Sequence, residues 1–273
     1  MSKTIFITGA SRGFGKIWAE AFLKRGDQVA GTSRNIESLA ALKDKYGDSF
    51  LPLALDVNSR AQSFEAVQKA IDYFGTLDVV INNAGYGVMG AVEEISEEDA
   101  RALIDTNVLG TLWVTQAVLP LFRQNKKGHV IQLSSALGVN TLPTIGLYSA
   151  TKYAVEALGE ALQLEVKEFG IHVTLLEPNG FTTDFNSSTV QSKAIAAYDN
   201  MKAEFYASPG VSGDVYGDPN ATVEAVFQVV DSDNPPHHFF LGNQAYPWTQ
   251  QNYVEKLATW EAWKEVSAKA QGK

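Results

Sequence analysis

The chain has 273 residues, of which 45% are hydrophobic and 22 are glycine, a composition typical of a globular protein with a sizeable core. It contains no cysteine, which excludes disulfide bonds, thiolate metal sites and cysteine nucleophiles. Its formal net charge of −9 disfavours nucleic acid as a partner, because phosphate contacts require a basic surface. No apolar run approaches the roughly 20 residues that cross a membrane, so we expect a cytoplasmic protein without a membrane partner.

Short β-branched runs alternate with longer amphipathic stretches from the N-terminus onward. The predicted strands cover residues 3–8, 28–33, 50–55, 78–82, 128–134 and 171–176, and the predicted helices cover 15–24, 37–46, 60–74, 97–123 and 147–169. Continuous apolar strands that alternate with helices are typical of a parallel sheet covered on both faces. Right-handed crossovers then give an α/β fold, a Rossmann-type doubly wound and mostly parallel sheet. No linker or composition shift divides the chain, so residues 1–273 are predicted to form a single domain.

The pattern changes after residue 178. Residues 184–215 are polar and are predicted to cover a substrate site as a lid, with a helix-compatible stretch at 192–206. A helix at 222–230, a strand at 239–241 and a helix at 253–268 complete the chain. In the last helix Leu257, Trp260 and Trp263 fall at helical spacing, and we interpret them as packing or interface residues.

The four histidines show no spacing typical of metal ligands. His237 and His238 are adjacent in an extended segment, where neighbouring side chains point to opposite sides. No metal site is therefore predicted.

A glycine-rich turn follows the first predicted strand and precedes the first helix. Glycines at this place let the backbone approach a pyrophosphate, and the helix N-terminus supplies amide groups and a favourable dipole. The turn is predicted to bind a dinucleotide through Gly9, Ser11, Arg12, Gly13, Phe14 and Gly15. Phe14, where a smaller aliphatic residue is commoner, is expected to pack under the turn.

The end of the second strand indicates which dinucleotide is bound. Enzymes that use NAD usually place an acidic residue there to bind the ribose hydroxyls, but this segment has none and continues as Ser33-Arg34. Arg34 and Arg12 would place two guanidinium groups beside a hydroxyl, an arrangement that suits a 2′-phosphate. NADP(H) is therefore the predicted cofactor.

Tyr148 and Lys152 are four residues apart, close to one helical turn, so their side chains project from one face of the predicted helix. A neighbouring ammonium favours the phenolate and lowers the pKa of a tyrosine from its usual value of about 10. The pair has the composition of a general acid and its tuning group, with Ser135 a short distance before it in the sequence.

Five motifs occur in order over residues 3–185: the glycine turn, Asp56-Val57, residues 82–85 (Asn-Asn-Ala-Gly), Ser135 with Tyr148 and Lys152, and residues 178–183. Together they closely resemble the classical short-chain dehydrogenase/reductase family. The resemblance implies that Asp56 binds the adenine and that residues 82–85 pack by the adenosine ribose. The cofactor contacts that it implies beyond the glycine turn and the arginine pair are Val57, Asn83, Ala84, Gly85, Tyr148, Lys152, Pro178, Gly180 and Thr183, with Thr182 as a near competitor for the last position.

The resemblance also implies a catalytic set of four residues. Tyr148 would donate a proton to a substrate carbonyl oxygen, Lys152 would lower the pKa of that tyrosine and bind the nicotinamide ribose, and Ser135 would orient the carbonyl. Asn107 would hold a water that links Lys152 to solvent. One departure from the family pattern is Asn179 between Pro178 and Gly180, where we expect asparagine to tolerate a left-handed backbone.

The expected function is reversible hydride transfer between NADP(H) and a small-molecule carbonyl or alcohol, most plausibly reduction of an apolar ketone or aldehyde. Residues 136–146, residues 86–89 and the segment after Thr183 would form the substrate walls; the apolar residues of the first could equally anchor that loop. One alternative is a catalytically silent dinucleotide-binding regulatory or scaffold protein. Another is an epimerase or dehydratase, which usually has a larger C-terminal domain. The family resemblance further implies a homodimer or homotetramer.

Overall fold

The computed structural model describes residues 2–208 and 216–272. The nine strands are β1 Thr4–Ile7, β2 Gln28–Ser33, β3 Phe50–Ala54, β4 Val79–Asn82, β5 Val88–Met89, β6 Gly128–Leu133, β7 Ile171–Pro178, β8 Val190–Gln191 and β9 His238–Leu241. Seven of them form one sheet in the order β3-β2-β1-β4-β6-β7-β9, with every neighbouring pair parallel. The predicted fold class is confirmed. β5 and β8, which the sequence analysis missed, pair as a separate two-stranded sheet.

Helices cover both faces of the main sheet. Their bounds are α1 Gly13–Arg25, α2 Ala40–Tyr46, α3 Arg60–Phe74, α4 Glu97–Ile104, α5 Gly110–Asn125, α6 Gly146–Val166, α7 Phe185–Ser188, α8 Asp199–Ala207, α9 Thr222–Asp231, α10 Ala245–Ala262 and α11 Lys264–Lys269. Within β1, Ile5 and Ile7 contribute to one apolar cluster and Phe6 to the other, because successive side chains of a strand point to opposite faces. The first cluster includes residues of α1, α2 and α9, and the second includes residues of α3, α5 and α6.

Three helices differ from the prediction. The helix predicted at 97–123 is interrupted by a π-helical turn over Asp105–Leu109, which separates α4 from α5. The C-terminal helix begins at Ala245, well before the predicted start, and ends in the short α11. The helix predicted at 192–206 is confined to α8. Part of the predicted lid, residues 209–215, lies outside the described residues.

One helical stretch, Glu97–Asn125, has the length and mean hydropathy of a candidate membrane span, which the sequence analysis did not anticipate. Its second half, α5, packs on α3 and on the sheet. Val114, Val118 and Phe122 of α5 are fully buried in the second cluster. A buried helix of a globular core meets the same criteria of length and composition, and these contacts account for the apolar residues on the inner face of α5.

Phe122 packs closely on Gly128 at the start of β6. A Cβ atom at Gly128 would lie 2.2 Å from the Phe122 ring, so the ring rests directly on the backbone. Replacing Phe122 with alanine should lower the free energy of unfolding by about 3–5 kcal/mol, since a cavity is left under the sheet. Urea denaturation would measure this loss. Phe169→Ala, at a ring that is 38% exposed, is the matched control and should cost clearly less; equal losses would contradict this account of the core.

Candidate active site

The glycine turn lies between β1 and α1, and its geometry requires glycine at three positions. Gly9 and Gly13 have φ values of +68° and +53°, in the left-handed region that favours glycine. A Cβ atom at Gly15 would lie 2.3 Å from the Gly9 carbonyl oxygen, so any side chain there would open the turn. Phe14 stacks on Trp18 at 4.9 Å and packs edge-on to Phe181 at 5.3 Å, as expected of a residue under the turn.

The loop after β4 supports this turn. The Asn83 side chain donates to the carbonyl oxygens of Thr8 and Gly9 at 2.8 and 3.1 Å. In return, the Thr8 hydroxyl accepts from the backbone amides of Asn83 and Ala84, both at 2.9 Å. The Asn82 amide donates to Thr115 and Gln132 in the core. The side chains of Asn82 and Asn83 thus hold the turn and the sheet edge in place, a role that the sequence analysis did not assign to them.

The N-terminus of α1 interacts with an anionic group in this structure. The backbone amide of Gly13 donates to the Asp184 carboxylate, with nitrogen and oxygen 3.1 Å apart. A carboxylate oxygen here stands in for the kind of anionic oxygen that a phosphate presents, and an anion is favoured at this end of the helix dipole. The residues of the turn therefore fit a pyrophosphate.

Arg12 and Arg34 are both solvent-exposed at this edge of the sheet. Neither forms an ion pair with a carboxylate of the described residues. Ser33 accepts a hydrogen bond from Ser38 at 3.0 Å. The Asp56 carboxylate accepts from the Asn58 amide, while Val57 packs its side chain against Gly110. The Ser33 hydroxyl and the adjacent exposed Arg34 have the chemistry that binds a phosphate monoester, and Arg12 in the glycine turn is a second exposed guanidinium group.

Tyr148, Lys152 and Ser135 come together beside the loop after β6. Tyr148 and Lys152 lie on one face of α6, with Lys152 Nζ 5.7 Å from the centre of the tyrosine ring. Lys152 donates to the Leu133 carbonyl oxygen at 2.6 Å, which fixes it at the end of β6. Tyr148, Lys152 and Ser135 are 7%, 5% and 7% exposed, so the expected catalytic groups share one largely buried site.

Burial changes the acidity of the two ionisable groups. It raises the pKa of Tyr148 well above its ordinary value, while a hydrogen bond to Ser135 acts in the opposite direction. Burial also lowers the pKa of Lys152 to about 8, because a charged ammonium loses hydration. The sequence analysis considered only the effect of the ammonium on the phenol; desolvation of both groups opposes it.

Asn107 lies in the π-helical turn and is 1% exposed. Its side-chain amide donates to the Tyr86 carbonyl oxygen and to the Thr151 hydroxyl, and its side-chain oxygen accepts from the Tyr86 amide. A Cβ atom at Gly85 would lie 3.1 Å from that oxygen and 3.9 Å from Lys152 Nζ. Asn107 thus adjoins Lys152, and its side chain is already engaged in anchoring the loop after β4.

The segment after β7 differs from the expected turn. Asn179 is absent from the described non-glycine residues with positive φ, which are Lys126 and Thr144, so the left-handed backbone that asparagine would tolerate is not adopted at this position. Its amide donates instead to Leu241, which extends the pairing of β7 with β9. Gly180 packs against Tyr216, and Thr183 lies against Gly13 and lines the cavity described next.

A cavity of about 630 Å³ opens beside Tyr148, Lys152 and Ser135. Of the predicted walls, Met89, Leu137, Leu142 and Ile145 line it, whereas Val139 does not. Phe185, Phe205 and Tyr206 line the cavity from the segment after Thr183 that was predicted as a wall, whereas the sequence analysis missed Phe181, Tyr216 and Trp248. Trp248 belongs to the first turns of α10, which lie before the predicted start of this helix at residue 253. The cavity is thus predominantly apolar around a few polar groups, as substrate sites commonly are.

A buried carboxylate anchors the segment that closes this cavity. Glu94 is fully buried, pairs with Lys202 of α8 and accepts from the Ile195 amide at 2.7 Å. The Lys202 ammonium and the Ile195 amide hold the pKa of Glu94 at about 2. At the end of α8, the Tyr206 hydroxyl lies 3.3 Å from the Thr144 hydroxyl on the opposite wall. Thr144 has a φ of +66°, a strained conformation for a β-branched residue.

Comparison with known proteins places the chain in a family. The sequence model of the short chain dehydrogenases matches residues 3–194. The chain is 38% identical over 270 residues to the oxidoreductase BOA17 of Botryotinia fuckeliana (strain B05.10), covering 98% of each sequence. It is 36% identical over 242 residues to the 3-ketodihydrosphingosine reductase of Bacteroides thetaiotaomicron, covering 87% of each. A solved short-chain dehydrogenase from Streptomyces avermitilis superposes with a TM-score of 0.88 at 32% identity, covering 98% of each chain.

These matches and the site define a doubly wound oxidoreductase domain. The chain belongs to the short-chain dehydrogenase family.

The Glu94 anchor leads to a prediction about the lid. Glu94→Gln removes the charge that pairs with Lys202, so segment 190–207 should detach more often and trypsin should cut it severalfold faster at Lys193 and Lys202. Mass spectrometry of the fragments would locate the cuts. Glu97→Gln is the control, because Glu97 pairs only with exposed Arg101 on its own helix. Equal protection of the lid in wild type and Glu94→Gln would contradict the anchor.

Proposed function

We propose that the protein is an NADP(H)-dependent carbonyl reductase or alcohol dehydrogenase that acts on a predominantly apolar ketone or aldehyde. The observation that carries this proposal is the juxtaposition of Tyr148, Lys152 and Ser135 at the mouth of the aromatic cavity. A phenol and a serine hydroxyl side by side present two hydrogen-bond donors to one carbonyl oxygen. NADPH, when bound, supplies the hydride.

Tyr148 is assigned the proton transfer. Lowering the pKa of a phenol from about 10 to about 7 requires roughly 4 kcal/mol of differential stabilisation. Because burial acts against the phenolate here, the charge of Lys152 has to supply more than that amount together with the Ser135 hydrogen bond. Charges act strongly in a site from which water is excluded, so a nearby ammonium suits this task. Lys152 must stay protonated, and reduction should therefore decline as the pH rises past about 8.

The cofactor assignment rests on the two guanidinium groups. Arg34 is exposed and follows Ser33 at the strand end where a carboxylate would favour NAD instead, and Arg12 is exposed in the glycine turn. The glycine turn and the N-terminus of α1 would hold the pyrophosphate, since the Gly13 amide already donates to a carboxylate there. Asp56, Val57, Ala84, Gly85, Pro178, Gly180 and Thr183 are assigned to the cofactor by family resemblance.

The cavity supports an apolar substrate with a bulky or extended body. Eight aromatic rings line it, including those of Phe14 and Tyr148, and one relative is a reductase of a 3-keto compound of the sphingosine type. Curated relatives that are named oxidoreductases give no support to a catalytically silent regulatory protein. We also propose a cytoplasmic homodimer or homotetramer, assembled through the long helical stretch of α4 and α5 and through α6. Ile104 and Leu164 on these helices are 43% and 79% exposed, which is consistent with such an interface.

Tyr148→Phe tests the proton-donor assignment. Loss of the hydroxyl should lower kcat/KM for NADPH-dependent ketone reduction by about 10²- to 10⁴-fold, the usual contribution of a general acid. Binding of NADPH, followed by fluorescence titration, should persist. Tyr153→Phe on the same helix, at a side chain 37% exposed, should retain activity. Normal reduction by Tyr148→Phe with a panel of ketones and aldehydes would overturn the assignment.

Arg34→Asp tests the choice of cofactor. Reversing the charge beside the 2′-phosphate should raise the KM for NADPH by roughly 10- to 100-fold, the value of a charge-assisted contact, while NADH changes little. Steady-state kinetics with both cofactors would measure the two effects. Arg101→Asp, on the surface of α4, should change neither. Equal losses with NADPH and NADH would refute the phosphate-binding role of Arg34.

A further inference from the structure

Every fourth residue along part of α6 carries an ionisable side chain. Tyr148, Lys152, Glu156 and Glu160 follow at this interval, and residues four apart lie on one helical face. Tyr148, Lys152 and Glu156 are buried, whereas the Glu160 side chain is 60% exposed. A row of ionisable groups thus runs from the catalytic site to the protein surface, and the buried Glu156 has no part in the proposed reaction.

Glu156 belongs to a cluster with Glu177 at the end of β7 and His238 at the start of β9. His238 Nδ1 lies 2.7 Å from Glu177 Oε1 and 3.5 Å from Glu156 Oε2. Its Nε2 lies 3.8 Å from Glu160 Oε1. The neighbouring His237 lies with its Nδ1 2.9 Å from the Val173 carbonyl oxygen and its ring 4.6 Å from that of His238. Glu156 and Glu177 are 4% and 1% exposed, while the His238 side chain is 43% exposed.

Two carboxyl groups buried side by side cannot both be ionised at low cost, so they hold one proton between them. Burial raises the pKa of Glu156 and of Glu177 to about 7; Glu177 and Glu160 add to the increase at Glu156, and Glu160 adds to it at Glu177. The proximity of Ser134 and of His238 opposes the increase at Glu156. The charge of the pair therefore changes near neutral pH, and His238 connects it to solvent.

This charge acts on the catalytic lysine. Burial lowers the pKa of Lys152, and Glu156, one helical turn further along, acts against that decrease. Among the described residues, Glu156 is the charged group that offsets the desolvation of Lys152. Lys152 is in turn the cation beside Tyr148. An ionised Glu156 thus keeps the lysine charged at a higher pH than burial alone would allow.

Carboxylates with an imidazole are also ligands of divalent metal ions, and ligand atoms of Glu156, Glu160 and His238 lie within 4.8 Å of one another. In this cluster, however, both imidazole nitrogens face carboxylate oxygens, Nδ1 toward Glu177 and Glu156 and Nε2 toward Glu160. The His238 ring therefore occupies the space between the carboxylates that a metal ion would need. The geometry therefore favours proton sharing over metal binding.

We propose that Glu156 is a positioning residue for the reduction reaction, because it is the counter-charge of Lys152. Through the proton-sharing contact of Glu156 with Glu177 and His238, the charge on Lys152 follows the protonation of this cluster. The proposal rests on the proposed function, since it assigns to Lys152 the tuning of Tyr148.

The main experiment compares pH profiles of wild type and Glu156→Gln. Without the anion, Lys152 should lose its proton at lower pH, so the basic limb of kcat/KM for ketone reduction should move down by roughly one pH unit. His238→Gln should move it in the same direction by less, because Glu156 then keeps its proton to higher pH. Glu160→Gln is the matched control on the same face; it should leave the limb in place or move it slightly upward, since Glu160 raises the pKa of both buried carboxyls.

A second readout does not need turnover. Trace acetylation of Lys152 by acetic anhydride, quantified by mass spectrometry across a pH series, reports the ionisation of that amine directly. The labelling curve should shift to lower pH in Glu156→Gln and, by less, in His238→Gln. If no ketone is reduced but the labelling curve shifts, the proposed function fails while the coupling stands. An inactive protein therefore still tests the coupling.

The proposal is overturned if folded Glu156→Gln or His238→Gln, checked by thermal melting, leaves both the pH profile and the labelling curve of Lys152 unchanged. A Glu160→Gln shift as large as that of Glu156→Gln would also overturn it, because surface charge alone would then explain the effect. Stabilisation of the wild type by Zn²⁺ that Glu156→Gln abolishes would show a metal site instead.

Discussion

The main sheet has seven strands that all run in the same direction, and this constraint fixes where function can lie. In a parallel sheet the carboxyl ends of the strands meet at one edge. The glycine turn after β1, the Asn83 loop after β4, Ser135 after β6 and Pro178 at the end of β7 therefore meet there. Hydrogen bonds between Thr8 and Asn83 join the first two across neighbouring strands. The family's chemistry requires this convergence, which the strand order supplies and the hydrogen bonds between loops reinforce.

Burial is the second constraint, because it makes ionisable groups costly wherever they lie close to the sheet. The site keeps a phenol and an ammonium in a nearly dry place, where each tends toward its neutral form. The Leu133 carbonyl oxygen accepts a hydrogen bond from the Lys152 ammonium and favours its charged form. The buried Glu156 carboxylate, one turn along α6, acts in the same direction. Glu94 illustrates the contrasting case, since a lysine and backbone amides stabilise its charge. The same residue type thus serves as a fixed anion that holds segment 190–207 and as a proton holder behind the site.

Residues whose chemistry is local could be predicted from the sequence. The apolar runs located the main strands to within a few residues, and the glycine turn and the Tyr148–Lys152 spacing indicated the site. Contacts made by distant segments could not be predicted. Trp248 lines the cavity only because α10 folds back over the loop after β6, where Asn140 bonds Thr249 and Asn252. No local pattern places His238 beside Glu177, since that contact depends on β9 pairing with β7.

The π-helical turn between α4 and α5 ties the site to chain length as well as to residue identity. A helix advances about 100° per residue, so the wider turn over Asp105–Leu109 changes the direction in which the residues on its two sides face. Asn107 can point toward Tyr86 and Thr151 while Val114 and Val118 still face the core. Deleting one residue here would rotate one half of the long helix relative to the other. All the residues of the site would remain in the sequence, but Asn107 would no longer face Tyr86 and Thr151.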